Sequence, residues 1–109
     1  MVYRVEVTKN AEAELEELYR WVVQRAPNQG AAWFNGLEKT ILSLDRYPGR
    51  CPLAPESIDP DHPVRVLPYG RAPHTYRVLY TVDELGRTVY VLHVRRGVRR
   101  LIDPRDIRQ

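Results

Sequence analysis

The sequence predicts an α+β fold: a small antiparallel β-sheet packed against an N-terminal helical hairpin, in the order β-α-α-β-β-β. Three observations carry that expectation. Two stretches in the first half repeat apolar residues at helical spacing. The last third holds two runs rich in β-branched and aromatic residues, 75–83 and 88–96, joined by the turn Glu84-Leu85-Gly86-Arg87. Val2 to Val7 alternates apolar and polar residues, as a strand joining that sheet would.

After the first strand, Thr8 or Asn10 can cap a helix whose early turns carry Glu12, Glu14, Glu16 and Glu17, where negative charge suits the helix dipole. Its apolar stripe is Ala11, Leu15, Leu18 and Val22, and Pro27-Asn28-Gln29-Gly30 is expected to break it. A second helix presents Trp33, Phe34, Leu37, Ile41 and Leu44 on one face and ends before Pro48-Gly49. So short a break between two amphipathic helices makes an antiparallel hairpin. Trp33 reads as a packing anchor, whereas Trp21 lies off its helix's stripe and suits a sheet edge or a partner surface. Residues 48–63 contain five prolines and no period, the mark of a loop. Val64 to Leu67 reads as a short strand, Pro68-Tyr69-Gly70-Arg71-Ala72-Pro73 as turns, and the two long runs complete a β-meander. Beyond Gly97 come a basic tail at Arg99-Arg100 and a helix start at Asp103-Pro104.

A chain of 109 residues fits one domain spanning 1–109, long enough for a core without staples. The lone cysteine, Cys51, has no internal disulfide partner. Met1 leads into the strand-like segment without a signal-peptide pattern, and no apolar run approaches the ~20 residues that span a bilayer. The expectation is a cytoplasmic protein with no membrane partner. Net charge is +3, unevenly placed. Residues 1–64 carry seven Lys/Arg against ten Asp/Glu, and residues 65–109 carry ten Arg against four Asp/Glu, with no lysine. That asymmetry points to a polyanionic or acidic partner without separating nucleic acid from an acidic protein.

No Gly-rich phosphate loop, HExxH, CxxC or His/Cys cluster at metal-ligand spacing is present, so neither cofactor nor metal is expected. Cys51 sits in a proline loop without a neighbouring base, and Asp59 and Asp61 read as turn formers. What remains is arginine on the meander. If the turn pairs Asp83 with Thr88, Arg77 faces Val94 and shares its side with Arg96, while Tyr76, Val78, Tyr80, Val82, Val89 and Val91 face the helices. A shift of one residue groups Arg77 with His93 and Arg95 instead, and Arg65 can join either set. Such a cluster suits phosphate, but arginine is a poor proton acceptor. Tyr69, His74, Tyr76 and His93 are the available proton handlers, with His93 and Tyr76 kept as weak candidates for proton transfer.

The Tyr76-Arg77-Val78-Leu79-Tyr80 run, followed by Val91-Leu92-His93-Val94-Arg95-Arg96-Gly97, resembles the RelE/ParE superfamily of type II toxin–antitoxin toxins, over about residues 2–100. The resemblance implies a growth-inhibiting toxin neutralised by a cognate antitoxin, with operator DNA reached only through that antitoxin. In the RelE branch it implies a metal-independent mRNA endonuclease acting on the ribosome, with arginines matching Arg77 and one of Arg95, Arg96 or Arg99. Arg65 stands where that branch carries lysines. In the ParE branch it implies a poison of DNA gyrase with a longer helical hairpin, to which the hairpin here is closer, so gyrase is favoured over ribosome and mRNA. A non-toxic module that only binds an antitoxin is the third expectation. Family members often carry Arg-His-Gly where this chain has Arg95-Arg96-Gly97. An antitoxin segment that folds on binding is expected to cover Arg77 or the Arg95/Arg96 region.

Overall fold

The computed structural model describes residues 2–71 and 73–97. Its elements are β1 (Arg4–Val7), α1 (Lys9–Arg25), α2 (Pro27–Leu42), β2 (Arg65–Arg71), β3 (His74–Asp83) and β4 (Thr88–Arg96), with two 3-10 turns, Ser43–Asp45 and Pro48–Arg50, between α2 and the proline loop. The expected basic tail and the helix start at Asp103 lie outside the described residues.

The strands lie in the order β1-β4-β3-β2. β2, β3 and β4 form the expected antiparallel meander, but β1 pairs parallel with β4, so the sheet is mixed. A strand that returns to its sheet in parallel needs a long crossover, and the hairpin plus loop supply one. β1 and β2 therefore point the same way at opposite edges.

Thr8 fixes the first helix to the sheet. Its amide and hydroxyl donate to Val91 O at 3.1 and 2.9 Å, and the same hydroxyl accepts from Ala11 N at 3.3 Å as the N-cap. The helix thus starts beside β4, at the point where β1 stops pairing with it.

The expected break falls just before Pro27, but it is one residue long rather than the whole of 27–30. Ala26 alone separates the helices, and Pro27 opens α2 at a first-turn position, where a missing N–H leaves nothing unsatisfied. Gly30 is buried inside α2 because the helices meet there: a Cβ would strike the Val22 carbonyl of α1. β2 also runs further than expected, through Pro68 to Arg71. It is an edge strand, where a missing amide is tolerated, and Pro68 pairs with Arg77.

Ala11 and Leu18 of α1 and Phe34, Leu37 and Ile41 of α2 meet Leu67, Tyr76, Val78, Tyr80, Val89, Val91 and Val94 of the sheet in one core. Trp33 packs against that core as the expected anchor. The proline loop wraps the β2 edge. Tyr80 and Arg65 reach Pro48 O and Cys51 O on the helix side, Leu53 bridges to Arg65 at the edge, and Glu56 reaches Arg77 on the far side. Leu79, on that far side, is buried as deeply as the core. No helix among the described residues is long and apolar enough to cross a membrane.

Candidate functional site

The β3–β4 pairing changes register halfway along. Asp83 pairs with Thr88 and Tyr80 with Val91, but Leu79 pairs with His93, which leaves Leu92 as the extra residue of a bulge. Past it, Arg77 pairs with Arg95 and Tyr76 with Arg96. The unshifted register, with Arg96 on the Arg77 side, is therefore corrected, and Arg77 groups with His93 and Arg95. The physical reason is burial. Without the bulge His93 would point into the core and Val94 out of it; with it, Val94 is buried. Tyr76, Val78, Tyr80, Val82, Val89 and Val91 share the helix side as expected.

Two arginines directly opposite on one face repel unless anions intervene. Two carboxylates do so here, both from the acidic N-terminal part of the chain. Arg77 Nη2 donates to Glu56 Oε1 at 2.6 Å, with the arginine side chain 16% exposed and the glutamate 46%. That hydrogen bond holds the Glu56 carboxyl below the usual carboxylate range, and the Arg95 charge adds to the effect.

Glu14 serves the other arginine. One oxygen accepts from Val94 N at 2.8 Å, and the second lies 3.3 Å from His93 Nδ1 and 3.7 Å from Arg95 Nε. β1 pairs with β4 only as far as Val91, so the amide of Val94 is an open edge donor that the helix side chain satisfies. The geometry follows from Thr8: six residues of helix advance about 9 Å and three of strand about 10 Å, which brings Glu14 level with Val94. His93 Nδ1 also lies 3.3 Å from Arg95 Nη2. One tautomer donates to Glu14 and the other accepts from Arg95.

The other candidates lie elsewhere. Arg96 is on the helix side, in an open groove of about 340 Å³ with Trp21, Tyr76, Val94 and Glu17. This is where Trp21, off its helix's stripe, is found; Arg25 stacks over its ring at 4.1 Å. Tyr76 is 8% exposed and set edge-on to Trp33, their centroids 5.4 Å apart. Tyr69 is also set edge-on to Trp33, their centroids 5.1 Å apart, and donates to its carbonyl at 2.8 Å, and burial raises its phenol pKa. His74 begins β3 at an exposed position. Arg65 pairs with Tyr80 across the strands and so points to the helix side, where its Nη1 donates to Cys51 O at 2.6 Å. It does not join Arg77. Beside it, the buried Tyr80 hydroxyl donates to Pro48 O, and burial pushes its pKa up. Among the described residues, no group of three or more His, Cys, Asp or Glu is placed to hold a metal ion.

Two members of the arginine site were not singled out as such from sequence. Glu14 had a signal: it is three residues after Ala11 and four before Leu18, on the flank of the buried stripe. Glu56 had none, because nothing in an aperiodic proline loop says which way a side chain points.

Chemically, the site is two guanidinium groups and a histidine, each contacted by a carboxylate or its neighbour, on a rigid two-strand platform. Guanidinium groups so arranged can hold oxyanions, and neither arginine is a nucleophile.

The chain resembles known proteins at two levels. A family model described as the ParE toxin of the type II toxin–antitoxin system parDE matches residues 5–101. Among solved structures, the chromosomal ParDE toxin–antitoxin system of P. aeruginosa is 18% identical with a TM-score of 0.69, covering 89% of this chain and 98% of that one. The toxin–antitoxin complex RelBE2 of Mycobacterium tuberculosis is 24% identical with a TM-score of 0.53, covering 89% and 93%. An arginine-to-alanine mutant of E. coli toxin RelE in the free state is 18% identical with a TM-score of 0.55, covering 98% and 96%. These likenesses bear out the α+β fold. No curated protein matches the chain. With the family model covering the strand, the hairpin and the whole meander, the chain belongs to the ParE toxin family of type II toxin–antitoxin systems.

Proposed function

We propose that this ParE-family toxin inhibits bacterial growth by acting on DNA gyrase rather than by cleaving mRNA, and that a cognate antitoxin neutralises it. One observation carries the choice of target. RNA cleavage without a metal needs a base and an acid within reach of one phosphate. Of the tyrosine and histidine candidates, His93 alone shares the face of Arg77 and Arg95, since Tyr76 turns into the core against Trp33. Glu56 is a weakened base, because its hydrogen bond from Arg77 favours the ionised form. A surface of paired arginines without an acid–base couple suits binding.

The second reading is RelE-like cleavage on the ribosome, favoured by His93, which sits between Glu14 and Arg95 and can move a proton to or from a phosphate that those arginines hold. The antitoxin is proposed from the ParDE and RelBE2 neighbours, which are toxin–antitoxin assemblies. Purified toxin is added to a gyrase supercoiling reaction and, in parallel, to a translation reaction read by primer extension on the mRNA. Loss of supercoiling with intact mRNA is expected. Codon-specific cleavage that requires ribosomes, with normal supercoiling, overturns the choice. If expression of the folded chain without its antitoxin leaves growth normal, the chain is an antitoxin-binding module.

A further inference from the structure

The arginine face holds more donors than its own carboxylates use. Arg77 offers five N–H groups, and Glu56 takes one of them through a single oxygen. Arg95 is half exposed, its nearest carboxylate oxygen is 3.7 Å away, and the other oxygen of that Glu14 is committed to Val94 N. The two arginines are direct cross-strand partners, which sets their Cα atoms about 5 Å apart. Gly97, which follows β4, packs closely beside Arg77: a Cβ there would lie 3.2 Å from Thr75 Oγ1 and 3.3 Å from Arg77 Cγ.

One carboxylate from the loop cannot neutralise both guanidinium groups. A phosphate group, with more oxygens and up to two charges, spans both. Glu56 is poorly placed to resist it. Its side chain is nearly half exposed, and the loop that carries it is tied to the sheet side by bonds on either flank, Ala54 N to Val64 O and Val64 N to Ser57 Oγ, rather than by Glu56 itself.

We propose that Glu56 is a displaceable internal counter-ion: a phosphate group binds across Arg77 and Arg95 by expelling Glu56 from Arg77, so the proline loop sets the affinity of the site. The proposal rests on reading the Arg77–Arg95 face as the functional surface, and its test keeps the two apart.

The probe is inorganic pyrophosphate, titrated at fixed ionic strength into the full-length protein and followed by the NMR signals of the arginine Nε–H groups. Glu56→Gln is expected to tighten binding about five-fold, the factor set by removing one partly exposed competing ion pair. Arg77→Ala is expected to abolish binding in both the wild-type and the Glu56→Gln backgrounds. Asp59→Asn removes one negative charge from the same loop, away from Arg77, and is expected to leave the affinity unchanged. If Glu56→Gln melts early, Glu56→Ala replaces it with the same expectation. Equal tightening by Asp59→Asn would reduce the effect to net charge and overturn the counter-ion role. No tightening by the Glu56 variants, with weaker binding in Arg77→Ala, overturns that role but keeps the surface. Binding indifferent to Arg77→Ala and Arg95→Ala overturns both.

Discussion

Arg77→Ala separates the functional role of this residue from a structural one, and the structure bounds what it should cost. The substitution removes one ion pair whose glutamate is nearly half exposed, so solvent screening holds it near the exposed-pair range of about 0.2–1 kcal/mol. The 2.6 Å charged hydrogen bond and the packed arginine stem push the cost up. Relief of repulsion from the cross-strand Arg95 pushes it down. The balance is about 1 kcal/mol, or roughly 5 °C in Tm for a domain of this size. No core cavity opens, because Arg77 lies on the side away from the helices. Thermal melts of purified wild-type and Arg77→Ala protein give the first number, and growth of cells expressing each without antitoxin gives the second. The expected pair of results is a small drop in Tm with loss of toxicity. A drop beyond about 15 °C, near 3 kcal/mol, would make the Arg77–Glu56 pair a structural tie of the proline loop and refute the reasoning. Full toxicity in a stable Arg77→Ala protein would refute it from the other side.

Three further predictions concern the frame and its titration. Tyr80→Phe leaves the buried Pro48 carbonyl without its donor and should cost about 1–3 kcal/mol in urea unfolding. Burial raises the Tyr80 pKa, so its neutral phenol contributes stability that is present below the ordinary tyrosine pKa of 10 and lost as pH rises beyond it; an alkaline melt series should show wild type losing stability there and Tyr80→Phe losing less. Gly30→Ala improves helix propensity by about 1 kcal/mol yet forces α1 and α2 apart at Val22, so net destabilisation is expected, and a higher Tm would refute the close approach. The Asp59 hydrogen bond raises the His62 pKa, so that pair is intact below the ordinary histidine pKa of 6.5 and released as pH rises through the raised value; an NMR titration of the His62 ring in wild type and Asp59→Asn should show the midpoint fall in the variant.

The elements that were legible in the sequence are those where burial and local pattern agree. β3 and β4 fall almost where their β-branched runs begin and end, because each buries alternate residues against the helices. Pro27 marked the end of the first helix but not how soon the second begins, and Pro68 hid a strand, for one reason. Proline is a breaker in a helix interior or a central strand, but a first helical turn and an edge strand both accept it, and which of these applies depends on neighbours far away in sequence. The parallel pairing of β1 is also a tertiary outcome, which four residues of alternation cannot specify. The bulge lay between these cases. The hydrophobic pattern held the signal, since Val94 is apolar and His93 and Arg95 are not, but hairpin counting from the turn alone runs past Leu92 to the wrong partners.

The charge asymmetry of the chain takes on a second meaning once folded. An acidic N-terminal part and an arginine-rich C-terminal part suggest an anionic partner when read separately. In the fold, Glu14 from the first helix and Glu56 from the loop both lie against cations of the C-terminal strands, so part of the excess is answered within the chain. Any anion that takes this face competes with those carboxylates. Its binding therefore gains less than ten arginines would suggest, and weakens further with salt. What the site contributes to recognition is then geometry more than charge. A group that bridges Arg77 and Arg95 profits from both, and one that meets a single arginine only exchanges one carboxylate for another.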